Sequence, residues 1–158
     1  MSSSDPGDGR DLIVVGVDGS TGSDHALRWA LGFARRNGSR LRVVSATGHA
    51  PDDGALGETT VSRDARRSTE TEQTEQLARW GVAHDPVIES TQVLHGAAAD
   101  VLVSEARHAA LLVVGSRGHG RLRDALVGSV AQGCIHRASC PVVVLPAHVP
   151  GAHAAPAS

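Results

Sequence analysis

The sequence predicts an open α/β fold: one parallel sheet of five strands with helices on both faces. Three observations predict it. Short β-branched runs alternate along the chain with segments of helical period, the order expected of a parallel sheet built from crossovers. Residues 12–17 and 111–115 are continuously apolar rather than alternating, as strands buried on both faces are. The chain of 158 residues is 41% hydrophobic and 20% charged, which is enough for a real core and places it among globular domains.

Each element has its own warrant. Residues 12–17 form the first strand, ended by Asp18, Gly19 and Ser20. Ser20 or Ser23 caps the next element. There Leu27, Ala30, Leu31 and Ala34 recur at helical spacing, while Asp24 and Arg28 lie four apart on the wet side. Asn37-Gly38 stops this helix. Residues 41–46 read as the second strand, followed by a loop rich in Gly, Pro and Asp. The polar, Pro-free stretch 59–80 reads as mostly helical, with a weak apolar stripe of Val61, Ala65, Leu77 and Trp80. Residues 86–93 form the third strand, and Ala98, Val101, Leu102 and Ala106 mark the third helix. The fourth strand, 111–115, leads through a Gly-rich stretch to a helix over 128–137 and a fifth strand over 141–145. Residues 1–10 and 147–158 are expected to be a disordered lead-in and tail, leaving 11–146 as the single domain. No internal repeat is visible, and right-handed crossovers leave few topologies.

Composition excludes several kinds of chemistry. Net charge is -2 with pI near 6.5, so the basic excess of a nucleic-acid binder is missing. All 15 basic residues are Arg. Without Lys there is no ordinary phosphate-loop Lys, no Schiff base and no Ser-Lys pair. Tyr is absent, and the aromatics are Trp29, Phe33 and Trp80, which gives no stacking platform for single strands. Two Cys are too few for a secreted disulfide scaffold. Residues 1–10 have no apolar core and do not read as a signal peptide, and no stretch approaches a membrane span. The expected compartment is the cytoplasm.

Ligands of open parallel sheets bind where strand order reverses, in the loops after the strands. Two such loops carry candidates: Gly16, Val17, Asp18, Gly19 and Ser20 after the first strand, and Gly115 to Gly120 after the fourth. The second holds three Gly in six positions, so its amides can form an anion-binding concavity. Gly128-Ser129 opens the next helix, where unpaired amides and the positive dipole end suit a phosphate. Arg117 and Arg121 add charge. A Gly-rich turn with no ligand is the competing reading of the glycines alone, and a helix cap is the competing reading of Asp18. Cys134, His136 and Cys140 match no usual zinc spacing, and a buried Cys is more often a small hydrophobe. No Ser-His-Asp set can be picked out.

Gly115-x-x-Gly118, nine residues, then Gly128-Ser129 resembles the spaced nucleotide-binding motif of the universal stress protein family. Residues 111–145 are similar to that family throughout, as are the opening 13–20, the helix residues 26–30 and Gly96. The resemblance implies an α/β sandwich with sheet order 3-2-1-4-5 and an ATP site. Carried over by position, Asp18 bonds the ribose or metal-linked phosphates, with Gly16 and Val17 beside the adenosine. Ala46 meets the adenine edge through its backbone. Gly115, Arg117, Gly118, His119 and Gly120 wrap ribose and phosphates, and Gly128, Ser129 and Val130 hold phosphates at the helix start. Relatives resemble dimers joined through the fifth strand, which implies a homodimer through Val142, Val143 and Val144. The chain departs from the family pattern at Ala110, where members often carry Asp, and over 48–74.

Three functions follow in order. The first is an adenine-nucleotide binder, ATP before others and with or without Mg²⁺, that reports its state to a downstream protein in stress adaptation. The second is a slow ATPase, for which Asp18 and His119 are the only general-base candidates, or a binder of AMP or cyclic AMP. The third is a nucleotide-free scaffold, against which the intact Gly128-Ser129 argues. DNA, RNA and membranes are not expected partners.

Overall fold

The computed structural model describes residues 9–48, 60–117 and 127–146. The strands are β1 (Leu12–Gly16), β2 (Arg40–Ala46), β3 (Ile88–Leu94), β4 (Leu111–Gly115) and β5 (Val142–Leu145). The helices are α1 (Thr21–Asn37), α2 (Thr60–Arg79), α3 (Ala98–Glu105) and α4 (Ser129–Arg137). The sheet order is β3-β2-β1-β4-β5, and every neighbouring pair is parallel. The expected five-stranded α/β fold and its order are therefore correct. Residues 9 and 10, assigned to the lead-in, belong to a 3-10 turn, Gly9–Asp11, that runs directly into β1.

The continuity of the apolar runs has a simple cause. Ile13 and Val15 point to one face of the sheet, where they pack with Ala26, Leu27, Ala30, Leu31 and Ala34 of α1 and Leu77 of α2. Leu12 and Val14 point to the other, against Val101 and Leu102 of α3 and Ala131 and Cys134 of α4. Both faces are core, so neither parity can be polar. Burying a side chain such as Leu27 contributes roughly 1.5–3 kcal/mol.

Both expected ends of α1 form. The Ser20 side chain accepts the Ser23 N–H as N-cap, and Gly38, at φ 64°, sends its N–H back to the Ala34 carbonyl. A left-handed residue here favours Gly because it carries no Cβ.

Helix α2 departs from the apolar stripe expected of it. Leu77 is buried, but Ala65 is only half-buried and Trp80 is 37% exposed. The Arg28 guanidinium lies over the Trp80 ring, 4.8 Å from its centroid, so the ring is covered by a cation instead of the core. The inward positions are taken by two glutamines, Gln73 and Gln76. Thr69, Thr71 and Thr74 satisfy their hydroxyls by donating to the carbonyls of Ala65, Arg67 and Glu70, which makes a polar helix tolerable.

At the amino end of the sheet Arg40 pairs with Asp11 and Glu89, and Arg42 with Glu89 and Glu105. No described helix is long and apolar enough to cross a membrane.

Candidate nucleotide cleft

Strands β1 and β4 are neighbours, yet the chain leaves them in opposite directions, through α1 to β2 and through α4 to β5. Their carboxyl ends therefore open a crevice at the switch point. A solvent-open cleft lies there. Gly16, Val17 and Asp18 line one side, Gly115 and Arg117 the other, with Ala46 and Val130 at its ends. These seven predicted residues are thus brought together. Gly128 and Ser129 stand beside them at the start of α4. Gly118, His119 and Gly120 lie outside the described residues.

Asp18 does not cap α1; Ser20 does. The Asp18 carboxylate accepts the Ser20 N–H at 2.9 Å and also the Ser20 hydroxyl. The Asp18 N–H donates to Ser23 Oγ at 3.2 Å, and that hydroxyl donates to the Ser20 carbonyl at 3.0 Å. The loop is thereby closed on itself, with the carboxylate at the cleft wall.

The edge offered by Ala46 follows from register. The Val17 N–H donates to Val44 O at 2.9 Å, and the Thr47 N–H to Leu94 O at 3.0 Å. Successive residues of a strand turn their amides to alternate sides. The N–H and C=O of Ala46 therefore face the β1 side, where β1 has already ended at Gly16. One donor and one acceptor, side by side, are presented to the cleft.

The start of α4 is tied to the end of β4. The Gly128 N–H donates to Ser116 O, and the Ser116 N–H to Leu145 O at 2.7 Å. Gly128 is the N-cap, in extended backbone, with no side-chain cap bond. The Gln132 N–H returns to Gly128 O at 3.0 Å. The amides of Ser129, Val130 and Ala131 thus precede the first intrahelical donor. Ser129 itself is exposed.

Sequence reasoning placed Ser20 in the first candidate loop and named Ser23 only as a cap, and it did not place Val44, Ala98, Leu102 or Val114 at the site, although all line the cleft. The four apolar residues make its walls. Their signal was the register of neighbouring elements, which periodicity does not carry. Cys134 is fully buried in the core, while His136 is exposed. Among the described residues no three His, Cys, Asp or Glu side chains gather to hold a metal.

A parallel sheet of this order with such a crevice defines an open α/β domain. The model of the universal stress protein family matches residues 9–146, and the chain belongs to that family. It is 32% identical to universal stress protein Rv1996 of Mycobacterium tuberculosis (strain ATCC 25618 / H37Rv), over 85% of this chain and 47% of that protein. The chain thus spans about half the length of the mycobacterial relatives it matches. Among solved structures, a universal stress protein in complex with cAMP is 25% identical, with a TM-score of 0.65, over 87% of this chain and 97% of that one. Universal stress protein UspA from Lactobacillus plantarum shares the fold at 19% identity and a TM-score of 0.65, over 86% of this chain and 97% of that one.

Proposed function

We propose that this chain is an adenine-nucleotide-binding module of stress adaptation that takes ATP in the β1/β4 cleft and passes its occupied state to a partner protein. The observation that carries the reading is the convergence, on one crevice, of a loop carboxylate, an unpaired strand edge and an uncapped helix start. Asp18 accepts hydrogen bonds from ribose hydroxyls or reaches phosphates through Mg²⁺. Gly16 and Val17 flank the adenosine. Ala46 offers its N–H and C=O to the adenine edge, while the base lies against aliphatic walls instead of stacking. Ser129, Val130 and the Gly128 backbone receive phosphate at the helix start, and Gly115, Arg117, Gly118, His119 and Gly120 close around it.

The universal stress protein in complex with cAMP, at 25% identity, favours one second reading, in which AMP or cyclic AMP replaces ATP. Strand β5 is an edge strand whose four residues are all half-buried. Pairing of Val142, Val143 and Val144 with a second copy hides that edge and makes a homodimer. A monomer mass at micromolar concentration by light scattering removes this part.

Calorimetric titration of nucleotide-stripped protein with ATP, with and without Mg²⁺, tests the function. ADP, AMP, cyclic AMP and GTP follow on the same sample. Saturable, adenine-selective binding is expected. Ser129→Ala loses a bond to a charged group and weakens ATP by roughly 1 kcal/mol or more. Equal affinity of variant and parent places the phosphates elsewhere, and no heat with any nucleotide overturns the proposal.

A further inference from the structure

Gln76 lies on α2, does not line the cleft, and is 0% exposed. A buried glutamine sacrifices rotamer freedom and hydration, so its bonds matter. Its Oε1 accepts the Gly19 N–H at 2.9 Å. Its Nε2 donates to Ser23 Oγ at 2.9 Å and to Asp24 Oδ1 at 2.6 Å. Ser23 in turn receives the Asp18 N–H and grips the Ser20 carbonyl. Three consecutive loop residues, Asp18, Gly19 and Ser20, are thus held from α2, either directly or through one hydroxyl. Gly19 is at φ 81°, a conformation that favours glycine.

We infer that Gln76 is a positioning residue for the nucleotide site: it holds the Asp18–Gly19–Ser20 loop so that the Asp18 carboxylate faces the cleft. The inference rests on the nucleotide reading above. Gln73 supplies an internal comparison. It sits one turn earlier on the same face, is 6% exposed, and donates to Ser45 Oγ at 2.9 Å and to Gln92 O at 3.0 Å. It is a second buried glutamine with the same chemistry; it reaches Val17 O through Ser45 Oγ, which donates there at 2.9 Å, but it holds none of Asp18, Gly19 and Ser20.

The experiment titrates the nucleotide-stripped chain with ATP by calorimetry for the parent, Gln76→Met, Gln73→Met, Asp18→Asn and the Asp18→Asn/Gln76→Met double variant. Methionine keeps the volume and removes the bonds. Melting temperatures are recorded beside the affinities, and amide hydrogen exchange at Gly19 is followed without nucleotide. Gln76→Met is expected to weaken ATP about tenfold and to speed Gly19 exchange. Gln73→Met is expected to stay within about twofold of the parent. The double variant is expected to bind no more weakly than Asp18→Asn alone, because the lost contact is the same one.

An unchanged affinity in Gln76→Met overturns the inference while leaving the nucleotide reading intact. So does an equal loss in Gln73→Met, or a Gln76 penalty that persists in full beside Asp18→Asn. A parent that binds no adenine nucleotide overturns the function reading and this inference together, whatever Gly19 exchange shows. If Gln76→Met does not fold, Ser23→Ala removes the shared hydroxyl with little change of volume; it must then weaken ATP and speed Asp18 exchange, or the inference fails.

Discussion

Gly115→Ala tests the close approach on which the cleft is built. A Cβ at Gly115 would stand 2.8 Å from both the carbonyl carbon and oxygen of Gly22, and 3.2 Å from the Ser23 nitrogen. These are backbone atoms of the first turn of α1, so no rotamer can relieve the clash. To reach ordinary contact the helix start must retreat by about 0.6–1 Å. That turn carries the Ser20 cap bond and the Ser23 hydroxyl, so the Asp18 loop moves with it. Overpacking of this kind costs about 1–3 kcal/mol, and each kcal/mol lowers the melting temperature of a chain this size by about 2–4 °C. Gly16→Ala is the comparison. Its Cβ would stand 2.7 Å from Leu102 Cδ1, the far end of a side chain that can rotate. Thermal unfolding of both variants is expected to show a drop of roughly 2–12 °C for Gly115→Ala and a smaller one for Gly16→Ala. A Gly115→Ala protein that melts with the parent, or a larger loss in Gly16→Ala, refutes the packing argument.

Two further outcomes concern titratable groups. Burial pushes the Cys134 thiol up to about 11, so near neutral pH it stays a protonated core side chain. Alkylation followed by peptide mass analysis should modify the half-buried Cys140 first and Cys134 only as the chain unfolds; equal rates would contradict this. Asp85 is pushed up by burial, but the Arg35 guanidinium and the Val87 N–H outweigh that and hold it below the usual carboxylate range. Its stabilisation is therefore complete above its unfolded pKa near 4 and is lost as pH falls through the lower folded value. Urea unfolding should show parent and Asp85→Asn further apart near neutral pH than in acid, and a constant gap would show that the charge contributes nothing.

The elements were legible wherever local chemistry decides them. Ser20 and Gly38 announce the ends of α1 because capping is set by a few adjacent residues. The runs at β1 and β4 announce two-sided burial because continuity has no other cheap explanation. The order of the strands was not legible from periodicity; the resemblance supplied it. Trp80 was expected inside because large aromatics usually go there, but Arg28, far away in sequence, offered its ring a cover at the surface. Gln76 was illegible for the same reason. Its partners Gly19 and Ser23 lie more than fifty residues earlier, and a glutamine in a polar helix looks solvated until the packing is known. The Ala46 edge depends on β2 outrunning β1, a matter of register between strands.

The spaced glycines of the cleft have two separate reasons to be glycine. A Cβ at Gly115 meets the backbone of α1, and one at Gly128 would stand 3.1 Å from Ser116 O. Packing alone therefore requires glycine at 115, whereas at 128 the Ser116 carbonyl would have to give by only a few tenths of an ångström. On the proposed reading, a chain without Lys or Tyr and with few aromatics would recognise phosphate and base largely through backbone and hydroxyl groups, which needs main chain brought close to the ligand. The same close packing that satisfies the sheet creates that approach. It follows that substituting Gly115 disturbs the fold whatever it does to binding and cannot separate the two. Ser129, exposed at the helix start, makes no cap bond. On the proposed reading its truncation would remove phosphate contacts with little structural cost, so it separates binding from stability where Gly115 cannot.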